Sequence, residues 1–311
     1  MRILVVGAGS TGGYFGGRLA AAGRDVTFLV RPKRAEQLRA GGLQILSPNG
    51  DLKLEPKLVT AGEITAPYDV VLLTLKAYAL EAAYDDMAPA IGPSTMLLPI
   101  LNGMKHLDML VVRFGGACVL GGTARVSTTL DDAGRIHQLT EVQELSYGEI
   151  SGEQTPRIVA LDAALSGAGF TNRWVQQIVL EMWQKWIVLA SLGALNCLLR
   201  GNIGQIATTE NGGQMATRML SETLGAAENY RRGVRGKEFV DGARAFLTDR
   251  ASQVTSSMYR DMMAGLPTEA EHILGDFVLR AESYGVDAPL LTAATVQLRI
   301  YEALRAKAPT G

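Results

Sequence analysis

Cysteine is scarce in this chain. Cys118 and Cys197 are the only two in 311 residues, and they lie far apart. That spacing excludes a CxxC redox or zinc motif and fits a reducing compartment. Histidine is nearly as rare. His106, His137 and His272 show no metal-ligand spacing, so no metal is expected. No sign of charge dominates, because 30 Lys and Arg stand against 31 Asp and Glu. Nucleic acid and anionic membranes therefore drop out as partners. The one basic cluster, RRGVRGK from Arg231 to Lys237, reads as a solvated loop between helices. Long uncharged apolar runs are missing too. The longest, Trp186 to Leu199, falls short of the ~20 residues of a membrane span. The first residues, MRILVVGAG, read as a strand and turn of the fold rather than a signal peptide. A cytoplasmic location follows as the expectation.

What is present is ordinary globular composition, 47% hydrophobic and 20% charged. At about 150 residues per domain, the length suggests two domains. The first half alternates strands and helices. RILVVG, DVTFLVR, PYDVVLLTLK and STMLLPILNG are apolar runs of strand type. GGYFGGRLAAAG between the first two is helical and is closed by Gly23. SPNGD marks a tight turn, so residues near 43–60 should form a hairpin, and GRIHQL and ELSYGEI read as outer strands. This pattern predicts a Rossmann-type doubly wound parallel sheet over residues 1–173. From residue 174 to 311 helical patterns dominate, near 177–199, 213–232, 237–253, 267–284 and 289–306. An all-helical second domain is expected there, and such a domain is able to support a homodimer.

The glycine loop is the first chemical motif. Gly7, Gly9 and Gly12 form G-x-G-x-x-G between a strand and a helix at the very start of a βαβ unit. With Ala8, Ser10 and Thr11 they make a cradle for a pyrophosphate at the helix N-terminus. The end of the second strand selects the dinucleotide. An NAD site wants an acid there, for the ribose 2′-hydroxyl. This chain has Arg31, with Lys33 and Arg34 close by to add charge. A guanidinium suits a 2′-phosphate, so NADP(H) is the expected cofactor. Lys76 and Asn102 close two more strands at the edge where ligands gather.

The second motif is a lysine on an apolar helix. LEMWQKWIVLASLGALNCLL carries Lys185 and, four residues before it, Glu181. The two could form a surface ion pair worth a few tenths of a kcal/mol. Yet the same face continues as Val188, Leu189, Leu192 and Gly193, too apolar for a solvated stripe. Desolvation there lowers a lysine's pKa and fits it for acid–base work on a carbonyl. Further on, Thr268 and Glu271 after Pro267 fit a capping box, which places Glu269 in the first turn of the next helix.

Together these residues resemble the ketopantoate reductases over nearly the whole chain. The matching stretches are the glycine loop, LVR with Arg31, TLKAY with Lys76, LNGM with Asn102, EMWQKW with Lys185, RGNIGQI, and SSMYRDMMAGLPTE with Ser257 and Glu269. The resemblance implies a dinucleotide-binding domain, a helical domain, and an active site in the cleft between them. It implies that Lys185 is the general acid in NADPH-dependent reduction of a 2-keto acid, ketopantoate to pantoate. Glu269 would hold substrate and lysine, Ser257 would contact the substrate, and Asn102 would touch both cofactor and substrate.

The chain also departs from that pattern. The family's asparagines one and two turns after the lysine are here Leu189 and Gly193, and its QNG reads LNG with Leu101. Gly193 would leave room and Leu189 would make it apolar, which favours a bulkier, less hydroxylated 2-keto acid. Asn196, close to three turns after Lys185, could return the missing amide as a substrate ligand. Two alternatives stay open: a reductase of another 2-keto acid, and an NADPH-binding sensor without turnover. The retained Lys185 and Glu269 weigh against the sensor.

Overall fold

The computed structural model describes residues 1–307. The chain divides into two compact units. Residues 1–101 and 106–179 form the first, and Asn102–Lys105 joins the chain from Leu180 onward to form the second. The expected boundary at 173/174 falls slightly early, because the strand ending at Trp174 still pairs within the first unit.

The first unit runs β1 (Arg2–Val6), α1 (Ser10–Ala21), β2 (Asp25–Leu29), α2 (Pro32–Gly41), β3 (Leu43–Leu46), β4 (Leu52–Leu54), β5 (Lys57–Val59), β6 (Val70–Leu73), α3 (Tyr84–Met87), β7 (Met96–Pro99), α4 (Lys105–Phe114), β8 (Leu120–Leu130), β9 (Ile136–Glu149), α5 (Pro156–Leu165) and β10 (Thr171–Trp174). Its first sheet has the order β5-β2-β1-β6-β7 and is parallel throughout. The strands are short apolar runs because both faces are covered. Leu4, Val5, Leu72, Leu73, Leu97 and Leu98 are essentially inaccessible, and burying each such side chain contributes about 1.5–3 kcal/mol. The order reverses on either side of β1. The carboxyl end of β1, where the glycine loop starts, is therefore a crevice that two crossovers leave open.

A second, mixed sheet has the order β10-β9-β3-β4, with β8 antiparallel to β9. The SPNGD turn forms and joins β3 to β4 as an antiparallel pair. β5 does not extend that hairpin. It crosses to the first sheet, where it pairs with β2. The two expected outer strands, GRIHQL and ELSYGEI, are one long strand, β9, and its partner β8 is LGGTARVSTTL.

The second unit is helical: α6 (Ile178–Leu199), α7 (Ile203–Thr208), α8 (Gly212–Tyr230), α9 (Lys237–Leu247), α10 (Ser257–Met263), α11 (Asp276–Ser283) and α12 (Pro289–Lys307). A π-helical turn, Glu271–Gly275, leads into α11. By length and composition α6 is long and apolar enough to cross a membrane, but most of it is buried within the protein, as befits a core helix. Trp183 and Trp186 of α6 pack on Phe277 of α11, and Trp183 stacks on Tyr230 of α8. Arg280 lies over Trp183, Trp186 and Tyr230 while pairing with Asp276 at 3.0 Å. The charge is neutralised inside its own helix, and the guanidinium plane covers the aromatic cluster.

The expected capping box is absent. Thr268 donates both its N–H and its hydroxyl to Glu302 of α12, at 2.7 and 2.8 Å, and Glu271 is engaged by Arg299. Tertiary partners from α12 win over the local cap. Glu269 lies just before the helical turn instead, its carbonyl receiving the N–H groups of His272 and Ile273.

Candidate functional site

In the first unit, a pocket of about 340 Å³ opens at the ends of β1 and β2. Gly7, Ala8 and Gly9 line it on one side and Arg31, Pro32 and Arg34 on another, with Leu75, Ala79 and Ala83 forming an apolar wall. Gly7 turns with φ +95°, which side chains rarely adopt. A Cβ on Gly12 would lie 2.1 Å from Thr74 Oγ1 and 2.2 Å from the Gly7 carbonyl oxygen. Thr74 in turn donates to the Val6 and Gly7 carbonyls at 2.9 Å. So α1 sits hard against the loop. A Cβ on Gly9 would meet nothing within 4 Å. That opening, at an α1 N-terminus with no side-chain cap and no acid in its first turn, could cradle a diphosphate. Ser10 and Thr11 supply the first helical N–H groups beside it. The residues present fit a dinucleotide.

Arg31 is exposed and precedes Pro32, the first residue of α2. No acid takes the place of the ribose-binding carboxylate at the end of β2. Lys76 is half-buried just beyond β6. Arg34, which the sequence offered only as additional charge, is held at the pocket by a 3.0 Å hydrogen bond from its Nε to the Ala8 carbonyl.

In the second unit, the Asn102–Gly103 turn and the turn after Glu269 pack against α6 at the turn that carries Lys185. Between Met182 and Cys197 the helix is buried except along one stripe, where Gln184, Lys185, Val188 and Leu189 stay partly open. Trp186, next to Lys185, donates its indole N–H to the Ile273 carbonyl at 3.0 Å. That bond ties the lysine's turn of α6 to the π-helical turn following Glu269. Asn102 and Gly103 pack at the same corner. Gly103 has φ +85°, and a Cβ on it would lie 2.8 Å from the His272 carbonyl oxygen and 3.7 Å from Trp186 Nε1. Only glycine lets the Asn102 turn approach this closely. Glu269 is 5% exposed and Asn102 half-buried. Ser257 is half-buried at the first position of α10, and the capping role falls to Ser256, whose hydroxyl accepts from the Tyr259 N–H at 3.0 Å. Sequence reasoning passed over Trp186 and Met258; for Trp186 the signal was the tryptophan pair flanking the lysine in WQKW.

Two expectations about substrate contact are corrected. Asn196 is fully buried, at 0% exposure, and its amide is already used. It donates to the Gly201 carbonyl at 2.8 Å and accepts the Ser256 N–H at 2.8 Å. It pins the start of α10 to the end of α6 and does not return an amide to the Lys185 face. Nor does Gly193 leave free room. A Cβ there would lie 2.6 Å from Met258 Cε, so the methionine methyl fills the gap. Among the described residues, no cluster of three or more His, Cys, Asp or Glu could hold a metal ion.

The ketopantoate reductase PanE/ApbA family model matches residues 3–152, and the model of its C-terminal domain matches residues 177–302. A two-unit nucleotide-binding oxidoreductase is the class these matches and the geometry define. The chain belongs to the ketopantoate reductase family. It is 37% identical to the uncharacterized oxidoreductase YkpB of Bacillus subtilis, over 97% of this chain and 99% of that one. The crystal structure of 2-dehydropantoate 2-reductase from Geobacter metallireducens superposes with a TM-score of 0.87 at 26% identity, covering 96% of this chain and 99% of the other. D-mandelate dehydrogenase, solved with NADH and anilino(oxo)acetate, shares the fold with a TM-score of 0.86 at 21% identity, covering 98% and 100%.

Proposed function

We propose that this protein reduces a 2-keto acid to the 2-hydroxy acid with NADPH, with ketopantoate to pantoate as the first reaction to test. One observation carries the reading. A lysine stands on the single open stripe of a buried helix, at the corner where Asn102 and the turn after Glu269 are packed together. When bound, a dihydronicotinamide supplies the hydride for the keto carbon. Lys185 donates the proton that the carbonyl oxygen takes up, and its ammonium stabilises the charge developing on that oxygen. Glu269 holds the ammonium and the substrate in place. Asn102 and Ser257 supply a side-chain amide and a hydroxyl for the substrate's hydroxyl or carboxylate. Water then reprotonates Lys185.

A second reading, a 2-keto acid other than ketopantoate, rests on a specific observation. Beyond Lys185 the open stripe continues only as Val188 and Leu189, Met258 closes the place of Gly193, and Asn196 is committed elsewhere. Beyond Lys185, α6 offers no free amide to a substrate hydroxyl, and an unpaired polar group costs about 1–3 kcal/mol. The 2-dehydropantoate 2-reductase name of the Geobacter metallireducens relative supports the first reading, and the anilino(oxo)acetate complex of D-mandelate dehydrogenase illustrates a ligand of the second kind in the same fold.

The deciding experiment is NADPH oxidation with ketopantoate and a panel of 2-keto acids carrying alkyl or aryl tails. Ketopantoate kcat/KM at or above about 10⁵ M⁻¹s⁻¹, well inside the usual enzyme range, establishes the first reading. A preference for the apolar tails establishes the second. Nucleotide binding with no turnover of any of them makes the protein a sensor and removes Lys185 from any mechanism.

A further inference from the structure

Arg34 stands in the first turn of α2, and three contacts fix it. Its Nε donates to the Ala8 carbonyl at 3.0 Å, and its Nη1 reaches Gln37 Oε1 at 3.3 Å. The third contact comes from the turn between β8 and β9. Gly134 there has φ +76°, and a Cβ on it would lie 2.3 Å from Arg34 Nη1. The turn thus closes over the guanidinium with nothing to spare. Nη2 is buried and has no hydrogen-bond partner among the described residues. No carboxylate there pairs with Arg34, and burial alone draws its pKa down. Nearby Asp131 is already taken by Arg135 and His137. A half-buried guanidinium without a counter-ion is costly to keep, and this one lines the pocket at the end of β2. Arg31, by contrast, is exposed. A fixed charge has already lost the freedom that an exposed arginine must still give up on binding a ligand.

We infer that Arg34, positioned by the Ala8 carbonyl and by Gly134 of the β8–β9 turn, is a determinant of NADP(H) preference, its missing counter-ion being the 2′-phosphate. This rests on the reading of the pocket as an NADP(H) site. It assigns a role in cofactor choice to a turn 122 residues downstream of Gly12, the last glycine of the nucleotide fingerprint (134 − 12). A side chain at Gly134 would displace the guanidinium and so act on selectivity through it.

The test is direct titration of NADPH and of NADH into the full-length protein, following nucleotide fluorescence. Wild type, Arg34→Gln, Gly134→Ala and the double variant are compared, and each apo thermal midpoint is recorded. Arg34→Gln should lower the NADPH-over-NADH affinity ratio by about 10- to 150-fold, the range for a hydrogen bond to a charged group. Gly134→Ala should lower the ratio in the same direction, and the double variant should fall no further than Arg34→Gln. Equal weakening of both nucleotides by Arg34→Gln, or an unchanged ratio, would make the residue a brace of the loop and overturn the inference. Should Gly134→Ala not fold, the Arg34→Gln ratio still decides. Wild-type protein that binds neither nucleotide overturns the cofactor reading and this inference with it, whereas an NADPH preference that survives Arg34→Gln overturns this inference alone.

Discussion

Replacing Asn196 by alanine should destabilise the helical unit rather than act on substrate. The side chain is fully buried and makes two hydrogen bonds of 2.8 Å, one to the Gly201 carbonyl and one from the Ser256 N–H. Alanine leaves a buried acceptor and a buried donor without partners. Each orphan costs about 1–3 kcal/mol, or about 2–6 kcal/mol for the pair. At roughly 3 °C per kcal/mol for a domain of this size, the thermal midpoint should fall by about 6–18 °C. Differential scanning calorimetry reads this directly. Asn196→Asp sharpens the test. A carboxylate still accepts the Ser256 N–H but sets an oxygen anion against the Gly201 carbonyl. Burial beside a carbonyl raises the folded-state pKa of that acid above its unfolded value, so the folded state holds the proton more tightly. The damage is then present at neutral pH and relieved as pH falls through the raised folded-state value, because a protonated acid can donate to Gly201. An alanine variant with an unchanged midpoint and a large loss in kcat/KM would refute the reasoning and return Asn196 to the substrate.

Other outcomes follow from the same geometry. Lys185→Ala should lower kcat by about 10²–10⁴ and leave nucleotide titrations near wild type; wild-type turnover should fall at high pH as the ammonium is lost. Arg31→Asp places an acid at the edge of the nucleotide pocket and should cost NADPH kcat/KM far more than NADH kcat/KM, with equal losses counting against the assignment. Arg157 and Thr155 hydrogen-bond the Glu149 carboxylate and lower its pKa, so its contribution to stability is complete above the unfolded value of about 4.3 and should vanish as pH falls below that, a loss that Glu149→Gln removes from the pH–stability curve. Cys118 and Cys197 are both buried, and burial raises both thiol pKa values, that of Cys197 to about 12; a thiol reagent at pH 8 should modify neither in native protein and both after denaturation.

Four strands of the parallel sheet were legible because each is an apolar run closed by glycine, a charge or a turn; β5, only three residues long and starting with Lys57, was read into the hairpin before it. β8 was not legible either. LGGTARVSTTL has two glycines and few apolar residues, and only its ladder with β9 makes it a strand. α9 stops at Leu247, short of the expected 253, and α10 had no periodic signal within its 7 residues. α10 exists because Ser256 caps it and Asn196 anchors that cap from α6, a dependence across 60 positions that no local pattern carries. The capping box failed for the same kind of reason, since Glu302, 34 residues on, outcompeted Glu271 for Thr268.

At the site, residue types were readable and their obligations were not. Lys185 announced itself as a charge on an apolar face, and the glycine loop by its spacing. Gly193 and Asn196 were read from helical periodicity, which tells which face a residue shares and nothing of what else reaches that face. Met258 and Ser256, both from the α10 segment, meet them there. The consequence bears on substrate choice. Met258 Cε lies where a side chain at 193 would stand, so under the proposed function the substrate beyond Lys185 would meet a flexible thioether and Leu189. A methionine gives way more readily than a branched or aromatic residue. A substrate site bounded this way would yield to a larger apolar tail, yet offer no new hydrogen bond to a hydroxylated one. The apolar character expected from the missing asparagines would then rest on Leu189 and Met258 together, and the extra room attributed to Gly193 would exist only to the extent that Met258 moves.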